Sequence, residues 1–208
     1  MPDQGKQDHL DSLLAHLGKE PGLQSGFVNP PIHRGSTVLF ETMEECLGAH
    51  EIDFKDGPYT YGLLGTPVER ELESTLARLD GGEGAVVLGS GLAAVSVALT
   101  SGLASGDHLL MVDSCYWPTR KCCDDFLGRM GIETTYYDPM IGKDVTDLFR
   151  PNTRMLFMES PGSRTFEVQD VPAMSALARA AGITTVIDNT WATPINFRPI
   201  EHGVDLVV

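Results

Sequence analysis

The sequence predicts an α/β fold built on a mostly parallel sheet, and two observations carry that prediction. From about residue 84 onward, short apolar runs rich in β-branched residues recur: Gly84 to Leu88, His108 to Val112, Ile132 to Tyr137, Arg154 to Met158, Ile183 to Ile187 and Val204 to Val208. Between them lie segments long enough for crossover helices, such as Leu92 to Ser105 and Pro172 to Ala181. Unbroken apolar strands separated by helices are what a parallel sheet covered on both faces requires.

Taken in order, the first 60 residues read as an arm rather than a core. Lys6 to Leu17 has the spacing of a short amphipathic helix. Thereafter Pro21, Gly22, Gly26, Pro30, Pro31, Gly35, Gly57 and Pro58 punctuate an extended path. Such a segment cannot bury itself, so it is expected to lie on another surface, such as a partner subunit. The next element is the best specified in the chain. Thr66 is a natural N-cap, Pro67 suits the first helical position, and Glu69 completes a capping box. Val68, Leu72, Leu76 and Leu79 form one apolar stripe, and Gly81-Gly82 ends the helix. Those terminal signals contribute about 1–3 kcal/mol. The expected division is an arm over 1–60 and a sheet domain over 61–208. The chain stops at Val208 inside an apolar strand, with no polar tail, so a truncated chain with an incomplete sheet domain is expected.

Composition narrows the function. Apolar residues make up 42% and charged residues 21%, which supports a packed core rather than disorder. Lys and Arg number 15 against 29 Asp and Glu, a net charge of −14 that repels phosphate backbones, so no nucleic-acid partner is expected. Apolar stretches break well before the length of a membrane span, so none is expected. The N-terminus lacks the apolar core and small-residue cleavage site of a signal peptide. Cys46, Cys115, Cys122 and Cys123 include an adjacent pair and no CxxC, which fits a reduced, cytoplasmic protein. The six histidines have no metal spacing, and no Ser-His-Asp order can be argued.

Four segments could carry chemistry. Val87 to Ala94 runs from a strand through Gly89-Ser90-Gly91 into a helix, a geometry whose backbone amides cradle phosphate. It also matches the dinucleotide pattern G-x-G-x-x-A, with Asp113 closing the next strand as a candidate ribose ligand. A nicotinamide-dependent oxidoreductase is therefore one reading, and a plain strand-to-helix turn is another. At Asp113 to Pro118, Tyr116 and Trp117 sit where a flat ring can meet a planar cofactor. The alternative, that both rings pack beneath the loop, is the expectation for Trp117. At Thr184 to Trp191, Asp188 closes a buried strand and is desolvated unless something cationic meets it. It could pair with a pyridinium nitrogen or merely cap the next segment. Glu159-Ser160-Pro161-Gly162-Ser163 is a further strand-end turn on the same edge.

Several of these segments together resemble a known family. Asn29-Pro30-Pro31-Ile32-His33-Arg34-Gly35-Ser36-Thr37, Tyr61-Gly62-Leu63-Leu64-Gly65-Thr66-Pro67, Leu79-Asp80-Gly81-Gly82-Glu83-Gly84-Ala85, Ser90-Gly91-Leu92-Ala93-Ala94 and Ile187-Asp188-Asn189-Thr190-Trp191-Ala192 are similar to the Cys/Met-metabolism family of pyridoxal-phosphate enzymes. Tyr137 to Gly142 and Glu159 to Ser163 look most like its cystathionine β-lyase branch. The resemblance runs in order from about residue 25 to 208. It implies a fold-type I, aminotransferase-like large domain that binds pyridoxal 5′-phosphate, preceded by an arm that reaches a neighbouring subunit. Gly91 and Leu92 would supply amides to the cofactor phosphate. Tyr116, the catalytic candidate, would stack on the pyridine ring, Asp188 would hold the ring nitrogen, and Tyr61 would reach the phosphate of the adjacent subunit's cofactor.

Two departures stand out. The family usually places an arginine two residues after that tyrosine to contact the phosphate; here the position is Leu63, so retention falls more heavily on the amides. The family's Schiff-base lysine lies beyond the strand at Val204 to Val208. None of Lys6, Lys19, Lys55, Lys121 and Lys143 occupies that motif, and the C-terminal domain with its substrate-carboxylate arginine is absent. As it stands, the chain is expected not to turn over. For the complete enzyme the resemblance implies β-elimination of cystathionine, a small sulfur amino acid, to homocysteine, pyruvate and ammonia in methionine biosynthesis. It implies a homo-oligomer, a dimer of dimers, in the cytoplasm. Related γ-lyases, γ-synthases and sulfhydrylases of the same family are alternatives.

Overall fold

The computed structural model describes residues 10–19, 21–22, 24–49 and 57–208. The chain divides into two compact units, Met1–Val87 and Leu88–Val208. This division falls at a different place from the expected one at 60/61, and the capped helix belongs to the first unit.

In the first unit, α1 (Leu10–His16) occupies the middle of the expected amphipathic helix; its start at Lys6 to His9 lies outside the described residues. The expected extended path is interrupted by α2 (Met43–Ala49). The cause is local. Thr42 and Glu45 form their own reciprocal cap, with Glu45 N–H donating to Thr42 Oγ1 at 3.1 Å and Thr42 N–H donating to the Glu45 carboxylate at 3.3 Å. Before it the path is irregular, and Ile32 and Leu39 are exposed. An antiparallel bridge joins Thr37 to Tyr61, and Gly62 N–H donates to Ser36 O at 2.7 Å. A Cβ at Gly62 would collide with the Gly35 carbonyl oxygen, so only glycine permits this crossing.

Helix α3 (Pro67–Asp80) begins and ends as its sequence predicts. Thr66 N–H donates to the Glu69 carboxylate at 2.7 Å, and Gly81 turns left-handed with φ 74°. Its apolar stripe is another matter. Leu72 and Leu76 are exposed, and Ala77 is the one buried residue of the helix. The run Gly84 to Leu88 also departs from expectation. It forms no strand, because a strand requires a ladder partner and the described residues give it none; Val87 N–H bonds instead to the Glu73 carboxylate at 3.0 Å.

The second unit carries the sheet. Helix α4 (Gly91–Gly102) precedes β1 (His108–Val112), and α5 (Trp117–Lys121) leads through a π-turn toward β2 (Glu133–Tyr137). Strand β3 (Thr153–Glu159), α6 (Val171–Ala180), β4 (Thr184–Asp188), α7 (Thr193–Asn196) and β5 (Leu206–Val207) follow. The strand order is β2-β1-β3-β4-β5 and every pairing is parallel. All five residues of β1 are buried, as are Met155 to Met158 of β3 and Val186 and Ile187 of β4. Helix α6, capped by Asp170, adds Val171, Met174 and Ala178 to this core. The five apolar runs from His108 onward thus each supply a strand. The four cysteines are free, and no described helix is long and apolar enough to cross a membrane.

Candidate functional site

Because all five strands run the same way, the turns after β1, β3 and β4 open on one edge of the sheet, where open α/β sheets bind ligands. There they enclose a cavity of about 530 Å³ together with the first turn of α4. That volume is in the range of small-molecule and cofactor sites.

Helix α4 contributes Gly91, Leu92, Ala94 and Val95. Ser90 caps it by accepting Ala93 N–H at 3.2 Å, and Ala94 N–H reaches Ser90 O, so the amides of Gly91 and Leu92 have no partner inside the helix. A Cβ built at Gly91 would meet nothing within 4 Å; the open space beside this backbone is where a phosphate can approach. From the turn after β1 comes Tyr116, half exposed, which lines the cavity. Its backbone N–H donates to Glu159 Oε2 at 2.8 Å.

Asp188 lines the cavity from the end of β4. Its Oδ1 accepts Thr190 N–H at 3.0 Å, so the capping role foreseen for it is real and leaves its second oxygen to the cavity. Among the described residues no cationic side chain pairs with it. Glu159, at the end of β3, is buried; burial pushes its carboxyl up to about 7, helped by the charge of Asp188 and opposed by the Tyr116 and Ser163 amides. The turn after β3 adds Ser163, Arg164 and Phe166, and the turn after β4 adds Thr190 and Trp191. Phe166 and Trp191 meet edge to face with centroids 4.9 Å apart. Arg164 and Phe166 both adopt left-handed backbone, φ 67° and 62°, a conformation non-glycine residues hold only where the surroundings impose it. Here Ser163 N–H bonds to Ser114 O at 2.8 Å and Phe166 N–H to Gly162 O at 3.0 Å.

The cavity therefore brings together Gly91, Leu92, Tyr116 and Asp188, each singled out in the sequence. Tyr61 lies in the first unit, half exposed beside its bridge to Thr37. Trp117 does not pack beneath its loop: it opens α5 and is 63% exposed, because the helix start turns its indole outward. Asp113 is engaged by Arg120, which forms an ion pair with it and also donates to its backbone carbonyl at 3.1 Å. Asp113, the candidate ribose ligand of the nicotinamide reading, does not line the cavity. Arg164 and Phe166 carried no sequence signal of their own, whereas Thr190 and Trp191 lie in the segment that Asp188 marks. Glu159 did, since it closes an apolar strand just as Asp188 does.

The set suits a planar, phosphorylated pyridine: free amides beside open space, an aromatic face, and a carboxylate with a free oxygen. Among the described residues no lysine lines the cavity. Residues 11–208 match the family described as Cys/Met metabolism PLP-dependent enzymes. The chain belongs to that family. A Saccharomyces cerevisiae relative, provisionally named a cystathionine beta-lyase, is 46% identical over 96% of this chain and 56% of its own length. A Haemophilus influenzae cystathionine beta-lyase is 37% identical over 96% of this chain and 50% of its own. In three dimensions, cystathionine gamma-lyase from Lactobacillus plantarum, solved with L-serine, superposes with a TM-score of 0.85 at 25% identity, over 96% of this chain and 48% of that one. The chain thus spans about half the length of the relatives it matches. Its sheet unit is the large domain of the fold-type I pyridoxal-phosphate enzymes, and pyridoxal phosphate is the family's cofactor.

Proposed function

We propose that the protein carrying this chain cleaves cystathionine by β-elimination, releasing homocysteine, pyruvate and ammonia, as a step of methionine biosynthesis. The observation that carries the reading is the convergence of the α4 amides, Tyr116 and Asp188 on one cavity, in a chain whose relatives at 46% and 37% identity carry the cystathionine beta-lyase name. Pyridoxal phosphate, when bound, supplies a ring that accepts the electron pair released at the substrate Cα.

The residues of this chain have separable tasks. Gly91 and Leu92 bind the phosphate with unpaired amides at the positive end of a twelve-residue helix. Tyr116 would lie against the ring and keep water from it. Asp188 keeps a proton on the ring nitrogen by its charge, which a neutral side chain cannot do. With Leu63 in place of the usual arginine, the α4 amides carry more of the phosphate affinity. Tyr61 would reach the phosphate of an adjacent subunit's cofactor, which needs at least a dimer; the family resemblance implies a homo-oligomer, a dimer of dimers.

The gamma-lyase superposition supports a second reading, in which the same cavity serves γ-elimination. Product analysis separates the two. The full-length protein that carries this chain is incubated with cystathionine and pyridoxal phosphate. Pyruvate with homocysteine is expected; 2-oxobutyrate with cysteine overturns the β-specific reading, and no keto acid overturns both.

A further inference from the structure

One buried titratable group of the cavity has no task in the reading above. Glu159 is 3% exposed, ends β3, and stands in register with Asp188 at the end of β4. In-register residues of adjacent parallel strands point to the same face, so the two carboxylates are neighbours above one edge of the sheet. Glu159 is also a tie between loops. Its Oε2 accepts the Tyr116 backbone N–H from the turn after β1, and its own N–H donates to Gln169 Oε1 at 3.1 Å beyond the turn after β3.

Two like charges side by side on neighbouring strands repel, and burial penalises the second charge further. The groups facing Glu159 are Asp188 from β4, Cys115 from the turn after β1, and the Tyr116 and Ser163 amides. No cation is among them, and the Cys115 thiol is itself pushed up to about 12 by burial, so it brings no charge near neutral pH. The amides favour the anion, yet burial outweighs them and holds the carboxyl near 7.

We propose that Glu159 is a positioning residue of the cofactor cavity: it anchors Tyr116 through a backbone hydrogen bond and shares a single negative charge with Asp188. The inference rests on the pyridoxal-phosphate reading for its purpose and on the geometry alone for its mechanism. Asp188 would then meet the ring nitrogen with no second carboxylate charge beside it, while Tyr116 keeps its place because its backbone is tied down.

Two variants of the full-length protein that carries this chain separate the tasks. Glu159→Gln keeps an acceptor for Tyr116 and never ionises; Glu159→Leu removes the acceptor. Because the folded carboxyl titrates above its unfolded value, its contribution to stability is complete below the ordinary carboxylate range and lost as pH rises through about 7. Glu159→Gln should therefore melt roughly 3–6 °C above the parent protein at pH 8 and level with it at pH 4.5. An equal or lower melting temperature at pH 8 overturns the shared charge. Pyridoxal phosphate affinity, read by absorbance titration at pH 7, should fall roughly tenfold in Glu159→Leu and stay within about twofold of the parent in Glu159→Gln. Equal affinity in all three proteins, or equal loss in both variants, overturns the anchoring of Tyr116. If Glu159→Leu fails to fold, Glu159→Gln decides alone, since a tenfold loss there refutes the backbone anchor. If the parent itself binds no pyridoxal phosphate, the cofactor reading fails, and the melting comparison still decides whether the charge is shared.

Discussion

Helices α3 and α6 are written in nearly the same way and end up in opposite surroundings. Each starts with a side-chain cap followed by an early proline, and each carries an apolar stripe. Yet α6 buries Val171, Met174, Ser175 and Ala178, whereas α3 buries Ala77 and leaves Leu72 and Leu76 exposed. Caps and periodicity fix where a helix runs because they act through neighbouring backbone groups. Burial needs a facing surface, and that is a property of the sheet behind α6, not of the helix sequence.

The contrast is measurable. Met174→Ala removes a fully buried side chain from α6 and should cost about 2–5 kcal/mol in denaturant unfolding. The matching change in α3, Leu72→Ala, removes a side chain already 45% exposed and should cost less than about 1 kcal/mol. Equal losses would mean that Leu72 is covered in the assembled protein. At the cavity the scale shifts from packing to charge. In the complete enzyme, Asp188→Asn should leave cofactor binding in place and slow elimination on the order of 100-fold, because an amide cannot hold the ring proton by charge. Steady-state pyruvate release checks it, and an unchanged rate removes Asp188 from its assigned task. Within the cavity the smaller effect is expected at Tyr116. Tyr116→Ala should weaken cofactor affinity roughly tenfold and Tyr116→Phe hardly at all, since stacking needs the ring and not the hydroxyl. Equal losses in the two variants speak against stacking, and loss of turnover in Tyr116→Phe alone points to proton transfer by the hydroxyl.

Sequence reasoning succeeded where the cause is local or repeats along the chain. The strands from His108 onward and the capped start at Thr66 follow from neighbouring residues, and the structure has them. It went astray at Gly84 to Leu88, whose composition is that of a strand but whose partner is not a matter of composition. It missed α2, although Thr42-Met43-Glu44-Glu45 repeats the spacing read correctly at Thr66 to Glu69; the flanking prolines and glycines drew attention away from it. At the cavity, Tyr116 and Asp188 were legible because turns after parallel strands share one edge, Gly91 because a glycine turn leads into a helix, and Leu92 through the family resemblance. Arg164 and Phe166 were not, because a left-handed turn beside the cavity leaves no periodic trace in the sequence. Trp117 failed for the converse reason: a large ring next to a site reads as buried, but its direction is set by the helix it begins.

The crossing of Gly62 over Gly35 carries a consequence for how this chain tolerates change. Two main chains pass so closely there that the difference between acceptance and rejection is one hydrogen atom against one methyl group. No side chain can relieve the collision, since the obstacle is a carbonyl oxygen of the backbone itself. A library randomised at residues 61 and 62 should therefore return varied side chains at the first position and glycine alone at the second. The placement of Tyr61 is in that sense inherited from its neighbour, a residue that has nothing to offer a ligand and everything to do with where the tyrosine stands.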